Sequence, residues 1–498
     1  MPLVPAAPPR ISPAPGPSPG LSAPDCLRAA LRDAAARWDG RTVLRVEVPA
    51  APADALAWLA AQPAAVAPRM AWADRDGAEQ RAAVGSALTV DAETLDDAAA
   101  VERAAALLPA GARLYGSVRF DAARAPAPEW AAFGRVRFVL PRAELVVRER
   151  RAVLAAHVAP GEPLADALAD LVRLADHTDA APAALPYVQA RTDRPGRAGW
   201  TAAVRAALAA FASGALAKVV LARRADLTFD APVGAVALLR RLAPAAPRCF
   251  HILTDAGDGS AFVCASPERL FRIETDAAGV RRLATEAVAG TRPRAADDAT
   301  DDALLGELME SDKDRREHAF VRDAIAERLA PLATSVTVDA QAGAMTLARG
   351  RHLRTGIAAT LAPHATVTAV LRALHPTPAV GGTPREAARL AIAAAEPFDR
   401  GLYAGAVGWI GRDAEGREAA EFAVGIRSAL VRGRRVSLYS GAGIVAGSVP
   451  AEEWTEIEGK LADFARVLGT TPRAAEASGD PGSGDGAGSA TSAPPVPA

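Results

Sequence analysis

This sequence has no surplus of charge. Its 57 Lys+Arg stand against 58 Asp+Glu, a formal net charge of −1. Without a basic excess there are no counterions to release from nucleic acid and no pull toward an anionic membrane surface. No apolar run approaches about 18 residues without a charge, which argues against a transmembrane helix. The opening MPLVPAAPPRISPAPGPSPG has no basic stretch followed by an apolar one, so it does not read as a secretory signal. Cysteine is scarce: Cys26, Cys249 and Cys264 show no metal-ligand spacing and suit a reducing cytosol, so a cytoplasmic location is expected. The abundance of Ala and Arg fits the codon bias of a GC-rich genome and carries no functional signal.

What is present is a long chain, 498 residues and 50% apolar, able to bury a large core. Residues 1–24 are dominated by Pro, Ala, Ser and Gly and are expected to be disordered. The tail 469–498 is the same kind of material. Between them, 25–468 reads as one body in two portions, 25–195 and 196–468, joined by a turn-rich loop over 178–200. PDCLRAALRDAAARW, WTAAVRAALAAFASG, PREAARLAIAAAE and DDALLGELMESDKDRREHAFVRDAIAERLA carry helical spacing, the last read as a single element. TVLRVEV, ARLYGSVRF, VRFVL, AKVVLARRADLTF, FHILTDA, AFVCASPERLFRIE and RRVSLYSGAGIV read as strands. Strands occur in neighbouring sets and not in regular βαβ alternation, so an α+β fold is expected.

The stretch GELMESDKDRREHAF, residues 306–320, holds eight charged side chains and a histidine. Most such runs are solvated helix faces. Here Asp314 and Glu317 are three apart, so on a helix they share a face and repel unless a cation lies between them. A second pair, Glu453 and Glu456, follows Ser448 and Pro450, a helix start with proline in the first turn, and Lys460 lies one turn on. Convergence of the two pairs would require a hard divalent cation, and oxygen ligands suit magnesium. The alternative is two ordinary amphipathic helices. Gly441, Gly443 and Gly447 in LYSGAGIVAG permit a close approach of backbone to a ligand. Arg427 in FAVGIRSAL reads as a charge on an apolar strand, suited to a bidentate carboxylate from either a ligand or a protein acid.

Taken together, SPERLF, AGTRPR, ESDKDRREH, LHPTPAVGGTP, EPFDRGLYAGAVGW, IRSA, YSGAGIVAGS and EEW resemble the chorismate-utilising enzymes in order and spacing, over residues from about 200 to 465. MAWADRDGAEQRAAVGSA and EWAAFGRVRFVLPRAEL are compatible with the family's leading portion. The resemblance implies the α+β chorismate-binding fold of the aminodeoxychorismate and anthranilate synthases, with two large antiparallel-rich sheets enclosing helices. It implies Mg2+ held directly by Glu317 and Glu456, with Asp314 and Glu453 as outer, water-mediated partners. The substrate implied is chorismate.

Members of the family differ in what attacks the ring. Aminodeoxychorismate synthases carry a lysine where this chain has Ala289, which argues against that route. Water-using members open the strand KVVLAR with a lysine, here Lys218, and the resemblance makes it the general base with Glu268 of SPERLF as the acid. It implies conversion of chorismate to isochorismate, with Arg427, Tyr403 and Gly441 at the enolpyruvyl carboxylate, Gly290 and Thr291 at the ring, and His352 and Lys460 nearby. Salicylate-forming relatives tend to carry threonine where Ala379 stands, so isochorismate is the expected released product and a salicylate synthase the runner-up. Anthranilate synthase's large subunit ranks lower because of Lys218. A catalytically silent chorismate-binding protein is disfavoured because Lys218, Glu268 and the acidic pairs are all present. A water nucleophile needs no amidotransferase subunit, so a monomer is expected. Val449, Ile457 and Gly425 depart from the family's usual residues without removing a charged group. The residues do not distinguish menaquinone, siderophore and salicylate routes, which share this step.

Overall fold

The computed structural model describes residues 22–51, 54–149, 151–176, 181–348 and 350–469. Nearly all of both stretches expected to be disordered lies outside these residues. Regular structure nevertheless begins at Ala23, inside the first of them: Ser22 Oγ accepts the Asp25 amide at 3.2 Å and caps the helix Ala23–Ala35.

Two large sheets dominate, and every pairing in them is antiparallel. One has twelve strands among the described residues. It runs from Leu44–Ala50 through Arg151–Val158, Ala143–Arg148, Glu79–Val84 and Arg69–Ala73 to Phe250–Asp255 and Ser260–Ser266. It continues through Ser428–Arg432 and Arg435–Ile444 to Lys218–Phe229 and the short Gly382–Thr383. The other has ten, with Arg269–Thr275, Arg281–Pro293 and Gly350–Leu361 on one side and Glu418–Val424, Ala406–Arg412 and Arg113–Val118 on the other. Both sheets mix strands from before and after residue 195.

Two expectations are corrected here. The 178–200 stretch is not loop throughout: Val188–Arg194 is a strand along Lys218–Phe229, followed by the helix Arg197–Ala212. Its sequence, VQARTDR, is polar because the strand lies at an edge and is largely uncovered. The acidic region is two helices, Asp298–Glu310 and Asp312–Leu329. Ser311 breaks them: its φ/ψ of −64/115 is extended, and its Oγ accepts the Asp314 amide at 3.2 Å.

The core lies between the sheets and under their helices. Trp130 sits in it, with the rings of Phe133, Phe262 and Tyr439 centred 5.3, 6.1 and 6.0 Å away. Gly401, at φ +55°, passes so close that a Cβ there would fall 1.9 Å from the Trp130 ring, so no larger residue fits. Away from this apolar region, Glu144 is fully buried between Arg45 and Arg81 and accepts the Tyr115 hydroxyl at 2.7 Å. Burial alone would raise its carboxyl, but the two guanidiniums outweigh that and hold it well below the usual range. Such a cluster tolerates no single deletion, because each removal strands a charge in low dielectric.

Candidate active site

Strand starts and helix faces from both sheets meet around a cavity of about 370 Å³. Val220, Gly441 and Gly443 line it from the twelve-stranded sheet, and Val288 to Arg292 with His352 from the ten-stranded one. The helices Asp312–Leu329 and Pro450–Val467 contribute Asp314, Glu317, Glu453, Glu456 and Lys460. Of the residues expected at the site, Glu268, Gly290, Thr291, His352, Ala379, Tyr403 and Arg427 line it as well. Lys218 does not line it. It is fully buried, with Nζ 2.9 Å from Glu317 Oε1, and so stands immediately behind that carboxylate.

The four carboxylates are each engaged by a basic group. Glu317 faces Lys218, Glu456 faces Lys460 at 2.6 Å, Glu453 faces Lys313 at 3.2 Å, and Asp314 faces Arg292 at 2.9 Å. Among the described residues no three His, Cys, Asp or Glu side chains stand close enough together to chelate a metal. The two acidic pairs therefore share one cavity, as their spacing predicted, but as four ion pairs. Lys313 and Arg292 carry half of this pattern and were not anticipated. Lys313 sits in the same SDKD run as Asp314, and Arg292 directly follows Thr291, so both lay inside motifs already singled out.

The donor set itself is all oxygen, which suits a hard divalent cation. Glycine leaves room for it: a Cβ on Gly443 would fall 2.2 Å from Glu317 Oε1 and 3.4 Å from Lys218 Cε. Gly443→Ala should therefore swing Glu317 out of place while leaving the fold intact, since only the end of a flexible side chain must move. The expected outcome is a loss of about 100-fold in kcat/KM with a melting temperature lowered by a few degrees at most, as the Lys218–Glu317 pair loosens, both measured side by side.

Glu268 follows the strand Ser260–Ser266, its amide donating to Ser266 Oγ at 3.2 Å and its carbonyl accepting from Val424 at 3.1 Å. Burial, and then the nearby Glu286, push its carboxyl up to about 8, so it is protonated at neutral pH. His352 Nδ1 lies 3.2 Å from the Gly290 carbonyl and 3.1 Å from Thr291 Oγ1. Burial lowers its pKa to about 3, so the ring is neutral and serves as a hydrogen-bonding wall.

Arg427 is not on a strand, contrary to the alternation of its segment. It sits at φ +51° in the connection between Glu418–Val424 and Ser428–Arg432, with Nη1 3.4 Å from Asp463. A non-glycine residue in this region is strained, and such strain concentrates at functional positions. Gly441 offers its carbonyl to Lys460 Nζ at 3.0 Å and leaves space for the Tyr403 hydroxyl, which its Cβ would approach to 2.9 Å. The loop carrying Ala379 is fastened to the Lys218 strand. Arg400 donates to the Val220 and Val380 carbonyls at 2.7 and 2.9 Å, and Val220 N–H bonds Gly381 at 2.7 Å.

Residues 29–469 match the family described as chorismate binding enzyme. The chain belongs to that family. Relatives in it include isochorismate synthase 2 of Arabidopsis thaliana, 34% identical over 72% of this chain, of which the chain spans 64%. Isochorismate synthase MenF of Escherichia coli is 34% identical over 83% of this chain and 90% of its own length. The solved structure of that menaquinone-specific enzyme superposes with a TM-score of 0.75 at 31% identity, covering 89% of this chain and 99% of the other. The α+β fold with two large antiparallel sheets is thus the family's fold. Ala289, buried at this cavity, occupies the position where the family's aminodeoxychorismate-forming members were expected to carry a lysine.

Proposed function

We propose that this chorismate-binding enzyme is an isochorismate synthase, an isomerase acting through a single catalytic body over 25–468. The observation that carries the reading is a buried acid lining the cavity and a buried amine just behind the carboxylate that lines it. Glu268 is a carboxylic acid still protonated at neutral pH, and Lys218 is a fully buried amine whose Nζ lies behind Glu317. Water has to lose a proton as it attacks C2 of chorismate, and the C4 hydroxyl has to gain one as it leaves. Lys218, acting as the unprotonated amine, takes the first proton and Glu268 supplies the second; the C2–O bond forms, the ring double bond shifts and the C4–O bond breaks, so the product is an isomer of the substrate. Both groups return to their starting states through solvent.

Arg427, with Tyr403 and Gly441 beside it, receives the enolpyruvyl carboxylate, and Gly290 and Thr291 border the ring. His352, Ala379 and Lys460 complete the enclosure. Glu317 and Glu456 would hold Mg2+, with Asp314 and Glu453 as outer partners; the ion, when bound, neutralises the ring carboxylate and orients the substrate. In this reading Lys218, Lys460, Lys313 and Arg292 hold the four carboxylates whenever the cation is absent. With water as the nucleophile no amidotransferase subunit is needed; we place the enzyme in the cytoplasm, as a monomer.

The test is product analysis from chorismate, with and without magnesium and with and without an ammonium salt. Isochorismate formed without ammonium and lost on chelation supports the reading. Salicylate with pyruvate, or anthranilate only with ammonium, contradicts it.

A further inference from the structure

The leading half of the chain sends one residue to the far side of Glu268. Arg75 lies in the turn between Arg69–Ala73 and Glu79–Val84, within the segment MAWADRDGAEQ, which has no part in the chemistry described above. Its Nη1 donates to the Pro267 carbonyl at 2.8 Å, and its Nη2 to Glu286 Oε2 at 2.9 Å. Glu286, 3% exposed, accepts the Arg269 amide on Oε1 at 3.1 Å and Arg354 Nε on Oε2 at 2.7 Å. The residues immediately before and after Glu268 are therefore both held by one guanidinium–carboxylate pair. A bidentate pair of this kind fixes direction as well as distance.

We propose that Arg75 and Glu286 are positioning residues for the acid Glu268, clamping its peptide on both sides and setting the charge it faces. This rests on the isochorismate synthase reading of the cavity. Neither residue touches the reacting atoms. The charged groups around Glu268 are Glu286 from the strand Arg281–Pro293, Lys218 from its own strand, Arg75 from the turn and Lys460 from the last helix. Glu286 disfavours ionisation of Glu268 and the three cations favour it, with burial the largest influence. Glu286 itself stays ionised because Arg75 and Arg354 outweigh its own burial. The two members of the clamp thus act on Glu268 in opposite senses.

That opposition makes the test. The alkaline limb of kcat against pH reports the acid that must stay protonated. Glu286→Gln, near-isosteric, should move this limb down by about one pH unit. Arg75→Met should move it up by about half a unit and lower kcat about tenfold, with KM for chorismate within about twofold. Arg75→Lys keeps the charge but not the fork, so it should lower kcat with the limb where the parent has it. A merely structural role would lower activity in all three without moving any limb, and that result overturns the proposal. Should Arg75→Met fail to fold, Glu286→Gln and Arg75→Lys decide the matter by the same criterion. A parent enzyme that makes no isochorismate refutes the functional reading; one that makes it while no limb moves refutes only the clamp.

Discussion

Glu268→Gln should lose isochorismate formation by about 1,000-fold or more and at the same time gain stability at neutral pH. The first effect follows from removing the proposed proton donor to the departing hydroxyl, a role worth roughly 10²–10⁴ in rate. The second follows from linkage. In the folded protein burial, with Glu286, raises this carboxyl to about 8, against about 4.5 when unfolded. The unfolded chain therefore releases the proton first, and the folded state loses stability as pH rises from about 4.5 towards 8. At pH 7 the cost is on the order of 3 kcal/mol, and at pH 5 about 0.8 kcal/mol. Glutamine has no proton to lose, so the variant should melt about 3 °C higher than the parent at pH 7 and nearly level with it at pH 5. An advantage that is the same at both pH values would mean that Glu268 does not titrate as described.

Lys218→Gln carries the other large effect. In the proposed mechanism this removes the group that takes the proton from water, and turnover should fall by about 1,000-fold. The substitution also removes the cation 2.9 Å from Glu317, leaving that largely buried carboxylate without its partner. Loss of one side of such a pair is expected to cost about 3–5 kcal/mol. If Glu317 holds magnesium, added magnesium should restore more melting temperature to the variant than it adds to the parent. Turnover within tenfold of the parent would assign the base elsewhere. An equal response to magnesium in the two proteins would separate Glu317 from the metal.

The sequence made the chemistry easier to see than the path of the backbone. Lys218 opens a strand of twelve residues with an unbroken apolar start, and Glu453 to Lys460 repeat at helical spacing. Such residues can be placed from periodicity and motif alone. The break at Ser311 was also legible, since a serine followed three residues on by Asp314 is a capping signature, but the surrounding charge run masks it. The strand Val188–Arg194 was not legible, because an edge strand exposed on both sides has no apolar alternation to display. Arg427 misled for a related reason. Its neighbours Val424 and Ala429 belong to two different strands, and the turn between them is fixed by tertiary contacts that hold φ at +51°. Ion pairing across the site was hidden too. Lys313 and Glu453 are 140 residues apart, and nothing local in either segment records their contact at 3.2 Å. The same is true of Arg75 and Glu286, which meet only when strands from the two halves of the chain share the site.

In the mechanism proposed above, water activated at Lys218 supplies the new hydroxyl. The direct measurement is turnover of chorismate with magnesium in ¹⁸O-enriched water, followed by mass spectrometry of the product. Isochorismate should carry one solvent oxygen at C2, and labelled product should form about 1,000-fold more slowly when Lys218 is replaced by glutamine. Isochorismate without solvent oxygen, its hydroxyl carried over from C4, would contradict this mechanism.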